Sequence, residues 1–317
     1  MTERLYIVVP CYNEEEVLPE TAARLGAKMR ALVEGGRVAP DSRVCFVNDG
    51  SKDGTWGIIR RLHEEDPLFS GVNLSRNRGH QNALLAGLMT VKDRCDVTIS
   101  MDADLQDDID AVDAMLEKRA EGFDIVYGVR SDRGTDTAFK RSTALAYYRF
   151  LAKLGVESVY NHADYRLMSR RALDGLAEFK EVNLFLRGMV PLVGYPSASV
   201  EYVRGERFAG ESKYPFSKMF AFAIEGVTSL SVKPIRFITN LGVAIFVVAI
   251  IAAICFVVQY FIGVTVPGWA SMIVSIWALG GLQLLAIGVI GEYIGKIYLE
   301  TKARPRYLIQ DFLDREG

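Results

Sequence analysis

With 317 residues the chain has room for one large or two moderate domains. Half of the residues are hydrophobic and 24% are charged, which excludes both a uniformly polar chain and a wholly membrane-embedded one. A formal net charge of −2 gives no reason to expect a nucleic-acid partner. Cys11, Cys45, Cys95 and Cys255 form no CxxC pair, and His63, His80 and His162 lack zinc-ligand spacing. Free thiols in a reducing cytosol are the expectation.

Short apolar runs alternate with helix-length amphipathic stretches through the first 130 residues. In chain order they read as strand 5–10, helix 14–33, strand 44–48, helix 55–65 and strand 72–75. Helix 80–91, strand 96–101, helix 109–121 and strand 124–128 follow. This βαβ alternation predicts an α/β domain with a mostly parallel, doubly wound sheet. Ligands of such sheets bind beyond the carboxyl ends of the strands. Those ends carry Asn13-Glu14, Asn48-Asp49, Arg76-Asn77, and Asp102 with Asp104. Past Arg130 the pattern loosens into helix 137–154, strand 163–168, helix 170–179 and strand 199–206.

Charges vanish over the 55 residues from Phe237 to Gly291. A spanning helix needs roughly 20 apolar residues, so the run fits two spans. They are placed at about 238–262 and 269–291, separated at Gly263, Pro267 and Gly268. The predicted organisation is a cytosolic domain over 1–212, amphipathic juxtamembrane helices over 213–236, a two-span region over 237–295 and a cytosolic tail over 296–317. Lys233 and Arg236 precede the first span; Lys296, Lys302, Arg304 and Arg306 follow the second. Basic flanks on both sides of an uncharged turn place both termini in the cytoplasm, with the chain in the plasma (inner) membrane. Leu5–Pro10 is too short an apolar run for a signal peptide.

The sharpest local signal is Asp102-Ala-Asp104-Leu-Gln106 at a strand end. Two carboxylates one residue apart can grip Mg2+ or Mn2+, which in turn binds diphosphate oxygens. The alternative is an Asp-rich turn capping the next helix, since Asp107 and Asp108 are also at hand. Val9-Pro-Cys-Tyr-Asn-Glu-Glu15 reads either as a base and ribose site or as an ordinary strand-to-helix loop. Asp49 reads either as an acceptor for a uracil N–H or as a turn former. Arg76-Asn-Arg-Gly-His-Gln-Asn82 opens a helix, placing backbone N–H groups and two guanidiniums where an anion could sit. No GxGxxG follows the first strand, which weakens a dehydrogenase reading. Arg207-Phe-Ala-Gly-Glu-Ser-Lys213 joins two cations through a small loop suited to clamping phosphates or to contacting headgroups. Asp164, in Ala163-Asp-Tyr-Arg-Leu167, reads either as an orienting or base carboxylate or as a buried partner of Arg166 or Arg170.

Taken in order, VVPCYNEE, VNDGSKDGT, LSRNRGHQNALLAGL, DADLQD, YGVR, ADYRLMSRRAL, RFAGESKY and the two-span tail closely resemble one family. The chain is similar to family 2 polyprenyl-phosphate glycosyltransferases, of the dolichol-phosphate mannose synthase and bactoprenol glucosyltransferase type, over nearly its whole length. The resemblance implies a GT-A fold; Asp104 and Arg130, with Asp164 as the candidate orienting or base carboxylate, make up the expected catalytic set. Pro10, Tyr12, Glu14, Val47 and Asp49 would bind the nucleoside, and Asp102, Ala103 and Asp104 the diphosphate. Asp102, Asp104 and Gln106 would hold the metal. Arg130, Arg207 and Lys213 would meet phosphates of donor or acceptor, with Arg130, Arg141 and Ser142 on the acceptor phosphate.

The implied reaction is inverting transfer of a hexose, glucose or GlcNAc, from a UDP-sugar to undecaprenyl or another polyprenyl phosphate at the cytoplasmic membrane face. The product would supply sugar to the cell envelope, and a homotetramer is implied. Two rivals stand beside it: a non-catalytic membrane scaffold with a degenerate domain, and a GDP-mannose-dependent mannose synthase. A processive polysaccharide synthase would carry QxxRW, and none of Trp56, Trp269 and Trp277 follows an arginine.

Overall fold

The computed structural model describes residues 2–131, 162–203, 205, 233–263 and 268–315. The chain divides into a sheet-bearing unit, which also takes in the segment from Arg304 onward, and a unit holding two long helices.

In the first unit β1 (Leu5–Cys11), β2 (Arg43–Asn48), β3 (Phe69–Leu74) and β4 (Val97–Ser100) run parallel in the order β4-β1-β2-β3. Every residue of these strands is buried. Successive side chains of a strand point to opposite faces. Leu5, Ile7 and Val9 therefore join one core with α1 (Leu18–Glu34), α2 (Thr55–Glu65) and α4 (Ala111–Ala120). Tyr6 and Val8 join a second core with α3 (His80–Val91) and α5 (Arg170–Ala177). Helices on both faces explain why the strands read as continuous apolar runs rather than alternating ones. Helix α1 buries Leu18, Ala22, Leu25, Met29 and Leu32, one stripe at helical spacing. It starts at Leu18 rather than at Glu14. Asn13 takes a left-handed φ of 55°, and the Glu14 carbonyl accepts from the Val17 and Leu18 amides before the regular helix begins.

The fifth strand does not extend the parallel series. β6 (His162–Ser169) inserts between β4 and β5 (Ile125–Arg130), antiparallel to both. β7 (Ser197–Tyr202) then pairs parallel to β5. The Ser169 hydroxyl ends β6 by accepting from the Ala172 amide and capping α5. A short helix, α6 (Leu186–Leu192), follows. At the far edge β8 (Ile309–Leu313) pairs antiparallel with β3, completing the order β7-β5-β6-β4-β1-β2-β3-β8. This strand lies within the segment expected as a cytosolic tail over 296–317, where the sequence reading placed no element. In Ile309-Gln-Asp-Phe-Leu313 only Phe312 packs on the core, so no alternation marks it in the sequence.

The second unit contains α7 (Lys233–Ile262, 30 residues) and α8 (Trp269–Lys302, 34 residues). At a rise of 1.5 Å per residue they measure about 45 and 51 Å, and both are long and apolar enough to cross a membrane. Helix α8 runs on past Gly291 through Lys302. The predicted helix 137–154 and the predicted juxtamembrane stretch up to residue 232 lie outside the described residues.

Candidate active site

The loops after β1 and β2 are zipped together. The Asp49 amide donates to the Cys11 carbonyl and the Asn13 amide to Ser51 Oγ (2.9 and 3.0 Å). The Lys52 amide donates to Asn13 Oδ1 and the Glu14 amide to Thr55 Oγ1, each at 2.9 Å. Asp49 then reaches the third loop, taking the Arg78 amide on Oδ1 at 2.7 Å and the Gly79 amide on Oδ2 at 2.9 Å. Asp49 is 2% exposed; burial raises its pKa, and the two amides act against that rise.

These loops and the end of β4 enclose a cleft of 540 Å³. Pro10, Tyr12, Glu14, Asp49, His80, Asp102, Ala103 and Asp104 are on its wall. Ala103 is held by its carbonyl, which accepts from Thr21 Oγ1 at 2.8 Å. Leu105 takes a left-handed φ of 58°, and the Gln106 amide donates to Asp104 Oδ1 at 3.2 Å. Asp102 Oδ1 is buried without a hydrogen-bond partner, 3.4 Å from His80 Nε2. Burial pushes the Asp102 carboxyl up to about 6, the neighbouring His80 opposing and Asp107, Asp164 and Asp104 adding to the rise.

His80 Nε2 also lies 3.5 Å from Asp164 Oδ2. Burial lowers the pKa of His80, but the Asp164 contact and the charges of Asp102 and Asp164 outweigh it and raise the value. Asp164 itself meets Arg166 Nη2 at 2.6 Å and Arg187 Nη2 at 3.2 Å. Burial would raise its pKa, yet His80, Arg166 and Arg187 hold it well below the usual carboxylate range. Such a group is a poor proton acceptor, so the arrangement favours the ion-pair alternative for Asp164. Arg170 pairs with Asp93 instead.

A second network lies beyond the Asp-Ala-Asp turn. Tyr202 donates to Asp107 Oδ1 at 2.5 Å and accepts from Arg130 Nε at 3.2 Å. Arg130 Nη2 is 3.7 Å from Asp107, whose pKa is raised by burial.

The fit of a divalent cation can be judged from these groups. Asp102 and Asp104 bring hard carboxylate oxygens to one cleft, and Asp102 Oδ1 lacks a hydrogen-bond donor. Among the described residues no cluster of three or more His, Cys, Asp and Glu side chains is arranged for a metal. The pair therefore fits an ion that takes its other ligands from a diphosphate and water.

Residues 6–176 match the family described as glycosyl transferase family 2. The chain is 53% identical to the uncharacterized glycosyltransferase YkoT of Bacillus subtilis (strain 168), over 96% of this chain and 90% of the relative. The chain belongs to glycosyl transferase family 2. It is also 41% identical to the bactoprenol glucosyl transferase of Shigella phage SfX, over 97% of this chain and 99% of that one. Among solved structures, glucosyl-3-phosphoglycerate synthase from Mycobacterium tuberculosis, crystallised with Mn2+, UDP and phosphoglyceric acid, superposes with a TM-score of 0.47 at 20% identity, covering 72% of this chain and 77% of the other.

In this family 2 glycosyltransferase the expected donor residues among the described ones line the cleft, Val47 excepted. The Val47 side chain is fully buried in the core beside α3. Gln106, expected on the metal, is not on the cleft wall; its carbonyl accepts from the Gly205 amide at 2.8 Å. The Arg78 guanidinium, expected near an anion, donates instead to the carbonyls of Pro305 and Arg306. Arg141, Ser142, Arg207 and Lys213 lie outside the described residues. The sequence reading missed His80 as the bridge between Asp102 and Asp164, and Arg187 and Tyr202 as partners. A lone histidine at a helix start carries no spacing signal. The other two come from α6 and β7, brought in only by the sheet order.

Proposed function

We propose that this glycosyltransferase moves glucose from UDP-glucose to a polyprenyl phosphate at the cytoplasmic face of a membrane. The observation that carries the reading is the convergence of the β1 and β2 loops with the Asp-Ala-Asp turn on one cleft. The relatives named bactoprenol glucosyl transferase support glucose over GlcNAc or mannose and a lipid phosphate as acceptor. Pro10 and Tyr12 would flank the base and ribose, with Asp49, beyond its two amide bonds, accepting from a base N–H. Asp102 and Asp104 would hold Mg2+ or Mn2+, which would neutralise charge on the leaving diphosphate.

A lipid phosphate has a second pKa of about 6, so its oxygen is already anionic at neutral pH. That oxygen attacks C1 of the sugar from the face opposite the UDP. The new C1–O bond forms as the bond to the β-phosphate oxygen breaks, with inversion, and UDP leaves with the electron pair. No strong base is required, consistent with an Asp164 paired with Arg166 and Arg187 and lying beside His80. Arg130 and, outside the described residues, Arg207, Lys213, Arg141 and Ser142 would bring the two anions together.

Purified protein should be offered radiolabelled UDP-glucose, UDP-GlcNAc and GDP-mannose with undecaprenyl phosphate and Mg2+. Label is expected in the lipid fraction with UDP-glucose, and chelation should abolish it. Failure with every donor would refute the reading and favour a scaffold.

A further inference from the structure

We propose that Arg304–Arg315 forms a strap that holds the donor cleft in shape, and that Arg78 is the positioning residue through which it acts. The proposal rests on the reading of the cleft as the donor site. Arg78 faces two ways. Its backbone amide, with that of Gly79, binds Asp49 on the cleft wall, while its Nε donates to the Arg306 carbonyl at 2.6 Å and its Nη2 to the Pro305 carbonyl. The loop that carries Asn77, Gly79 and His80 into the cleft is thus pinned from behind by the returning C-terminal chain.

The strap has its own anchors. Arg306 Nη2 donates to the Phe179 carbonyl, and the Ser75 amide donates to the Leu308 carbonyl at 3.0 Å. Asn73 Nδ2 donates to Asp311 Oδ2 at 2.9 Å. At the far end Asp314, its side chain 3% exposed, lies 3.2 Å from Arg43 Nε, 3.0 Å from Arg94 Nη1 and 3.2 Å from the Tyr6 hydroxyl. A buried carboxylate with two cations is costly to leave unpaired, so this end is fixed. Arg43 Nη2 also holds the Arg315 carbonyl at 2.9 Å. Helix α8 ends at Lys302, and only Ala303 and Arg304 precede the clamped Pro305. Two hydrogen bonds from the charged Arg78 guanidinium restrain a five-residue loop, 75–79, that Gly79 at a φ of 85° would otherwise loosen.

The test uses full-length protein in detergent or nanodiscs. Amide exchange of residues 76–80 is followed by mass spectrometry without ligand, and UDP binding with Mg2+ is titrated by calorimetry. Arg78→Ala should raise exchange in 76–80 severalfold and weaken UDP about tenfold, raising KM for the donor more than it lowers kcat. Arg78→Lys should restore most of the affinity. Asp314→Asn, remote from the cleft, should shift both readouts in the same direction if it folds. Unchanged exchange in Arg78→Ala overturns the strap. Weakened UDP with unchanged exchange would make Arg78 a direct phosphate ligand and overturn it as well. If the wild type binds no UDP, the donor reading fails, while the exchange arm still decides the strap.

Discussion

Asp102 stands at the end of β4 with Oδ1 shielded from hydrogen-bond donors, and burial pushes its carboxyl up to about 6. A folded-state pKa above the ordinary value means that ionisation opposes folding. The penalty is absent below about pH 4, grows between 4 and 6, and is complete above that. Because the side chain is 33% exposed, solvent screening reduces the penalty to about 1–2 kcal/mol. Asp102→Asn should therefore melt a few degrees higher than wild type at pH 8 without metal, lose that advantage near pH 4, and lose sugar transfer. Melting curves from pH 4 to 8 check this; equal stability at pH 8 would show the carboxylate to be well solvated. Asp164 has the opposite sign. Its depressed pKa contributes stability above the ordinary carboxylate pKa, and that contribution is lost as pH falls through the lower folded value. The Asp-x-Asp spacing was legible because both carboxylates follow one strand. His80 was not, because its two partners arrive from β4 and β6.

Helix α3 carries His80 and must sit close to the sheet to bring it to the cleft. Gly87 makes that approach: a Cβ there would meet Val47 Cγ2 at 2.5 Å and Val8 Cγ1 at 2.6 Å, both in packed strands. Gly87→Ala should cost about 1–3 kcal/mol through overpacking, despite the better helix propensity of alanine. It should also lower transfer activity, since α3 must shift outward. Denaturant unfolding of the full chain reads the first effect, and unchanged stability would show that the strands yield. The long parallel elements were visible in sequence because each buries a continuous apolar run. The mixed half was not, since β6 gains its place only by pairing between β4 and β5, and β8 only by pairing with β3.

For the whole molecule, the sheet unit contains the chain both before α7 and after α8. Lys233, Arg236, Lys296 and Lys302 flank the two apolar helices. The protein should stay with membranes after alkaline carbonate washing. A fluorescent protein fused to its C-terminus should shine, while a phosphatase inserted within residues 264–267 should be active if the helices cross the membrane with both termini in the cytoplasm. An inactive phosphatase there would argue that the helices lie along the membrane rather than cross it.

By itself the sequence determined the alternating α/β half, the carboxylate pair at a strand end and the two apolar helices. Those features are written in local spacing: strand and helix periods, a two-residue separation, and 55 residues without charge. Only the tertiary structure decided that β6 divides β4 from β5, that Asp164 meets Arg166 and Arg187, and that the chain after α8 closes the sheet behind Arg78. Each of these joins residues far apart in the chain through ion pairs and strand ladders, whose partners no local pattern names.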